Sequence, residues 1–450
     1  MTGLMGKIAG GWLVSILVGL PLWASMGLAA LAFLWLAGMP VTVLPQKMAG
    51  SMNSFPIVAA PLFILMGNIL GAAKITDRIV VFASALIGWV RGGYAHASIL
   101  TSMIFAGMVG SAVADAAGSG AIEIRAMKKA GYKPETAAAI TAAAATIGPI
   151  IPPSLPMVIY GVMADVSIGK LFMGGVIPGV LMGLSLMVMV GVVARREGMA
   201  RMPFGGFAAI GKAFVDCFFA VMTPVVILGG MFSGWFTPTE AAAVACLYAL
   251  FLGFVVYRTL HWKQLGPILV DTAVTTGVVM VLVMSAAALG WCISISRVPQ
   301  TLTPLILDWI ASPLIFLLLV NVMLLVIGCF MEALAAMLIL IPILAPAAAS
   351  YGIDPVQFGV MVVLNLIIGT ITPPMGIVLF VVTRIAEIRF EVMARAILPW
   401  LIPLLVVLAA ITLWPPLTLW LPTAMRGGGA SAARWCKSAT RIVIRARRPL

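Results

Sequence analysis

The chain has 450 residues, 63% of them hydrophobic and 9% charged, with a mean hydropathy of +1.17. That composition excludes a soluble globular fold and fits a polytopic membrane protein. The net charge of +13 falls to +6 without seven basic residues crowded near the end: Arg426, Arg434, Lys437, Arg441, Arg445, Arg447 and Arg448. The basic balance therefore makes no case for nucleic acid. Five cysteines are scattered without C-x-x-C spacing, which indicates neither a metal site nor a disulfide frame. Only His96 and His261 are present, so a histidine-based metal or catalytic centre is not expected.

Apolar stretches of about 20 residues, enough to span a bilayer, recur along the chain. Residues 12–36 are expected to cross outward, being too long for a signal peptide, and residues 55–73 to cross back. Residues 75–90 carry Asp77, Arg78 and Arg91 at their ends and read as an interfacial arm on the cytoplasmic side. Residues 97–124 are flanked by Arg91 and Arg125 on one side and punctuated by Gly107, Gly110, Gly118 and Gly120. That pattern reads as a re-entrant helical hairpin.

Residues 135–162 hold the first exceptional stretch, with Gly148-Pro149 followed by Pro152-Pro153. Each proline lacks an N–H and clashes with the carbonyl four residues back, so this crossing must break. Broken backbone at membrane depth survives where it is buried in protein or lines a polar cavity. Residues 175–194 then return to a basic loop, and 213–232 cross outward as a linking helix. Residues 239–257 and 267–293 cross again, 299–310 form a second arm, and 313–345 a second hairpin. Residues 356–383 contain the second break, Gly369-Thr370-Ile371-Thr372-Pro373-Pro374, and 398–421 end the bundle.

The two halves match without gaps at an offset of 221. Gly131 meets Gly352, Pro134 meets Pro355, Gly148 meets Gly369, and Pro152 and Pro153 meet Pro373 and Pro374. The matched residues are mostly those that fix backbone shape. Loop charges orient the copies. Residues 125–133 carry Arg125, Lys128, Lys129 and Lys133, whereas the matching 346–354 carry no Lys or Arg. Basic loops are cytoplasmic, so the copies run upside down to each other. The expected fold is an all-α polytopic membrane protein of two inverted-topology repeats, each with a re-entrant hairpin and a broken transmembrane helix. The expected division is a first repeat over 1–212, a linking helix over 213–233, a second repeat over 234–422, and a basic tail over 423–450. The tail, opened by Gly427-Gly428-Gly429, reads as a disordered extension or a reading-frame artefact rather than a lipid contact.

The breaks are the strongest functional signal. Unwound carbonyls suit a small cation and helix N-termini suit a carboxylate, so Na⁺ coordination is expected near Gly148, Ile150, Gly369 and Ile371, with Pro152, Thr372 and Pro373 alongside. The plain alternative is a kink re-satisfied by neighbouring helices. The hairpin tips offer Ser111 and Asp115 in one copy and Gly328 and Glu332 in the other. Ionisable groups at membrane depth are costly and are usually functional, although small residues also serve close helix packing. Asn365, four residues before Gly369, is a cavity candidate or an interhelical hydrogen bond. Thr237-Pro238-Thr239-Glu240 has capping-box spacing and reads as structural. No G-x-x-x-x-G-K-[ST], H-E-x-x-H or G-x-S-x-G motif occurs, so no enzyme is expected.

Taken in order, Pro61-Leu62-Phe63-Ile64-Leu65-Met66-Gly67, Gly110-Ser111-Ala112, the 148–153 break, Phe236-Thr237-Pro238-Thr239-Glu240-Ala241-Ala242 and Thr372-Pro373-Pro374-Met375-Gly376 carry a resemblance. Over roughly residues 8–422 the chain resembles the DctM-like large membrane subunit of TRAP (tripartite ATP-independent periplasmic) transporters. The resemblance implies a multi-pass protein of the bacterial inner membrane, with an elevator motion of hairpins and broken helices past a static scaffold. It implies Na⁺-coupled import of an organic acid, such as a C4-dicarboxylate or a sialic-acid-like carboxylate, with Na⁺ the coupling ion and no other cofactor. It also implies two partners, a small DctQ-like membrane subunit and a periplasmic DctP-like binding protein. Two other readings stay open: an autonomous ion-coupled carrier or antiporter, and a non-transporting membrane subunit of a respiratory or assembly complex. The second would call for buried Lys or Glu relays along mid-helix, whereas the lysines here lie at segment ends.

Overall fold

In the computed structural model of the chain the described residues are 2–53, 55–199, 201–310 and 312–425. Their regular structure is helical throughout. The first repeat runs α1 (Thr2–Leu17), α2 (Leu22–Leu36), α3 (Val43–Met52), α4 (Ala59–Ala72), α5 (Ile75–Ile87), α6 (Gly93–Val109), α7 (Ala112–Ala117), α8 (Ser119–Lys129), α9 (Pro134–Ala145), α10 (Leu155–Met163) and α11 (Ile168–Glu197). A connecting helix, α12 (Gly206–Phe232), leads to α13 (Pro238–Phe251), α14 (Trp262–Ile295), α15 (Val298–Trp309), α16 (Pro313–Phe330), α17 (Ala333–Ser350), α18 (Pro355–Gly369), α19 (Ile377–Ala386), α20 (Phe390–Ala396), α21 (Leu398–Leu413) and α22 (Pro416–Ala424). Among the described residues, six helices are long and apolar enough to cross a membrane, or up to eight when bent pairs are each taken as one span.

The repeat seen in the sequence is repeated in the element boundaries. Shifted by 221, α6 falls on α16, α7 with α8 on α17, and α9 on the start of α18, and α10 falls within two residues of α19. Both Pro-Pro bonds, Pro152–Pro153 and Pro373–Pro374, are cis. Packing is reciprocal. Helix α10 packs on α17 and α18 of the other repeat as well as on α4 and α11 of its own, while α19 packs on α7, α8 and α9. Equally, α13 packs on α4 and α14 on α2. Two side chains tie the exchange. Tyr160 on α10 donates to the Pro355 carbonyl at the start of α18 (3.0 Å), and Lys128 on α8 donates to the Ala386 carbonyl at the end of α19 (3.1 Å). The lysine meets the negative end of a helix, where a cation is favoured.

Two bodies result. One is a frame in which α14 packs on α2, α3 and α4, and α13 on α4. The other is a core of hairpins and broken helices backed by α11 and α21. Asn68 on α4 donates to Thr272 on α14 within the frame (2.9 Å). Helix α5 turns Ile75, Ile79, Phe82 and Ala83 inward and lies against both α6 and α12, as an arm should. The capping box at the start of α13 is formed: the Thr237 hydroxyl accepts from Glu240 N, and the Glu240 carboxylate accepts from Thr237 N (2.8 Å).

Two predicted crossings are divided. Residues 12–36 split between α1 and α2, because Gly19 (φ +92°) and Pro21 interrupt the run and α1 begins far earlier. Residues 398–421 split at Trp414 and Pro415, since proline cannot continue the ladder. Helix α22 reaches Ala424, past the expected start of the tail at 423. The tail from Arg426 lies outside the described residues.

Tyr160→Phe removes one buried tie between the repeats. It is expected to cost about 1 kcal/mol and to lower the unfolding temperature in detergent; an unchanged midpoint would show that the bond is idle.

Candidate functional site

The first hairpin turns at Gly110 (φ +60°), where a Cβ would lie 3.1 Å from the Pro153 carbonyl oxygen and 3.2 Å from Leu155 N. Glycine serves both the left-handed turn and the close approach. The tip thus rests on the first break. Ser111 caps α7, its hydroxyl accepting from Ala114 N (3.4 Å). Ser154 caps α10 in the same way, accepting from Met157 N (3.3 Å) and donating to the Pro149 carbonyl. Two helix starts are therefore set side by side.

The second hairpin meets the second break by a tighter version of this contact. A Cβ on Gly369 would lie 2.6 Å from Gly328 Cα, and one on Gly328 3.0 Å from Gly369 Cα. Backbone touches backbone there, and only glycine fits. Glu332 stands where Ser111 stands in the first copy, immediately before the returning helix, but its side chain makes no cap bond and is exposed.

Both tips open on one cavity of about 860 Å³ between frame and core. The core side supplies Gly110, Ser111, Pro153, Leu155 and Glu332, and the frame side supplies α4 and α14, including Gly67 and Asn68. Lys74 and Asp77, at the start of α5, also line it. Most of the wall is apolar, so these few charges dominate its field. A second cavity of about 650 Å³ lies between α14 and α17 and contains neither tip.

The structure separates the other sequence candidates. Gly148, Ile150, Gly369 and Ile371 are all buried. Among the described residues no donor reaches the carbonyls of Gly148, Ile150 or Ile371, whereas that of Gly369 accepts from Thr372 N (2.9 Å). The Ile150 oxygen faces α11, 2.5 Å from where a Cβ on Gly175 would sit. Pro152 is buried, and Thr372 and Pro373 are half-buried; none of these, nor Gly369, lines the cavity. Asn365 points away from it. Its amide donates to the Asn321 side chain (2.7 Å) and backbone (2.9 Å) on α16, and Asn321 in turn donates to Thr412 on α21 (3.0 Å). It joins three core helices, the interhelical role weighed for it. Asp115 is also turned inward, 2% exposed, bonded to Ser102 (2.9 Å) and Ser119 (2.6 Å).

Sequence reasoning missed Lys74 and the buried Glu123 of α8. The signal for Lys74 was present: a lone lysine between a crossing and an arm, beside Asp77. For Glu123 the signal was fainter, a carboxylate eight residues after Asp115 with Ser98 and Ser102 one turn apart on the facing helix.

Comparison with known proteins bears on this geometry. The family model described as the DctM component of the tripartite ATP-independent periplasmic transporter matches residues 10–417. The chain is 45% identical over 420 residues to the sialic acid TRAP transporter large permease protein SiaM of Vibrio cholerae, covering 93% of this chain and 98% of that one. It is 36% identical over 434 residues to the C4-dicarboxylate TRAP transporter large permease protein DctM of the same species, covering 92% and 96%. Among solved structures, the YdaH transporter of Alcanivorax borkumensis aligns with a TM-score of 0.60 at 16% identity, over 84% of this chain and 90% of that one. That likeness speaks to the fold alone.

Gly369→Ala forces the second hairpin off its break, an overpacking expected to cost about 1–3 kcal/mol. Gly191→Ala, where a Cβ meets nothing within 4 Å, serves as control. Equal unfolding temperatures for the two would contradict the close backbone contact.

Proposed function

The chain belongs to the DctM component family of tripartite ATP-independent periplasmic transporters, and from that premise we propose that it is the large permease subunit of a Na⁺-coupled importer of organic acids in the bacterial inner membrane. A small membrane subunit stands beside it, and a periplasmic binding protein delivers the substrate. One observation carries the reading: both hairpin tips and the first break meet in a cavity between frame and core. That is where discontinuous helices of secondary transporters hold cargo and ion.

The charges support coupling. Glu332 lines the cavity, and a carboxylate substrate beside it needs an intervening cation. The unbonded carbonyls of Gly148 and Ile371 are hard oxygen donors of the kind Na⁺ takes. Lys74 offers the substrate carboxylate a charge-assisted partner at the cavity mouth. The start of α5 lines the cavity, and the reading of α5 as an arm on the cytoplasmic side makes this the inward-open state of the proposed cycle. Transport then moves the core past the frame, with α5 and α15 as the connecting arms. The substrate is an organic acid whose identity the binding protein sets; the relatives named for sialic acid and C4-dicarboxylate span that class.

Reconstituted with its small subunit and loaded binding protein, the permease is expected to take up a labelled organic acid only with an inward Na⁺ gradient. Replacing Na⁺ by choline abolishes uptake, and Glu332→Gln lowers it about tenfold or more, the loss of one charge-assisted contact. Uptake by this chain alone would favour the autonomous carrier. Uptake that survives in choline with the proton gradient collapsed would contradict Na⁺ coupling.

A further inference from the structure

Where α11 gives way to α12, an aromatic and basic surface lies beside the joint of the first arm, and no step of the proposed transport uses it. Both helices are long and apolar enough to span a bilayer, so the short link between them lies at a membrane surface. Three contacts hold that link against the joint between α5 and α6. Met202 N donates to the Gly88 carbonyl (3.0 Å). The Phe204 ring stands edge-on to Trp89, with centroids 6.0 Å apart. A Cβ on Gly92, left-handed at φ +75°, would lie 2.9 Å from the Ala194 Cβ, so the joint closes on the last turn of α11.

The rings form a ladder. Trp89 is posed by its own indole, which donates to the Leu86 carbonyl (3.1 Å). Phe207, in the first turn of α12, stands edge-on to Phe204 at 5.7 Å. Trp89 and Phe204 are each half exposed and Phe207 is 85% exposed. Aromatic rings left outside the core at a membrane boundary settle at headgroup level.

Arginines frame the ladder. Arg91, Arg195, Arg196 and Arg201 stand within two residues of the three contacts, and all are exposed. The ion pairs among the described residues are Lys133–Glu197 and Arg389–Glu391, so none of the four is paired. The acid beside them, Glu197, is engaged by Lys133 and by Thr136 of α9. The basic loop 125–133 differs: Lys128 is bonded to Ala386, Lys133 to Glu197, and its one aromatic, Tyr132, is buried. In the inverted copy the matching stretches 309–314 and 416–425 expose Trp309 and Trp420 but contain no Lys or Arg. The joint therefore does not need the arginines to fold.

We propose that this face binds an anionic phospholipid of the cytoplasmic leaflet, its phosphate among the four arginines and its acyl chains against Trp89, Phe204 and Phe207. Anionic lipid is concentrated on the cytoplasmic side and attracts clustered basic residues there. Charge decides against a partner helix, because burying four cations without acids would cost more than the rings return. The bound lipid ties the end of the arm to α11 and α12 at the membrane plane. The site stands whether or not the transport reading holds.

The test is thermal unfolding of the purified full chain in neutral detergent, titrated in parallel with dioctanoyl phosphatidylglycerol, dioctanoyl phosphatidylcholine and glycerol phosphate. Phosphatidylglycerol is expected to raise the unfolding temperature, and the other two are not. Arg91→Gln with Arg201→Gln raises the concentration for half-maximal effect about tenfold or more, the loss of two charges facing an anionic lipid. Arg125→Gln with Lys129→Gln removes as much charge from the other basic loop and keeps the wild-type response. Phe207→Ser weakens the response without lowering the lipid-free midpoint, and it keeps the test decisive should the double arginine variant fold poorly. An equal loss in both charge pairs, or an equal effect of glycerol phosphate, would overturn the proposal. So would a response abolished by the bound small subunit, which would assign the face to that partner.

Discussion

An apolar layer offers backbone groups no water, so a chain that breaks its helices there must satisfy the freed groups internally. This constraint organises the molecule. Each break is covered by its own hairpin, Gly110 against Pro153 and Gly328 against Gly369. Hydroxyls take part of the load: Thr146 donates to Ala143 O (2.6 Å), Thr370 to Ile367 O (2.6 Å) and Thr372 to Ile368 O (2.8 Å). The carbonyls of Gly148 and Ile371 are left over. The contacts that close the breaks thus leave these two oxygens without a hydrogen-bond donor among the described residues.

The reciprocal packing follows from the breaks as well. A twelve-residue α9 rises about 18 Å, too short to span a core of about 30 Å. A crossing cut so short is free to turn its second piece aside, and α10 and α19 each reach helices of the opposite repeat. Tyr160 and Lys128 bond across that exchange. The core is thereby tied together across the repeats, and α4 and α14 form the facing wall of the cavity.

Much of this was legible in the sequence because proline and glycine state backbone geometry locally. The breaks, the hairpin turns, the capping box at Thr237 and the offset of the repeats all rest on such residues. What escaped depends on side-chain direction. Asn365 sits one turn from the break, and composition alone cannot say that it faces α16. Asp115 lies four residues from the tip yet turns into the hairpin, toward Ser102, and Glu123 reads from sequence as one more charge on a basic helix. The split of residues 12–36 was signalled by Gly19 and Pro21 but hidden by the apolar run around them. The second break lines no part of the cavity: Gly369 packs on Gly328 of the hairpin, while Pro374 and Met375 are exposed away from it, a tertiary fact that no spacing predicts.

The central claim is that Ser111 and Glu332 mark a site alternately open to either face. Accessibility of Ser111→Cys, in a background with the native cysteines replaced, tests it most directly. With no substrate, membrane-impermeant reagents should label this position from the cytoplasmic face alone. With Na⁺, small subunit and loaded binding protein, labelling should shift to the outer face. Labelling confined to one face under every condition would contradict the account.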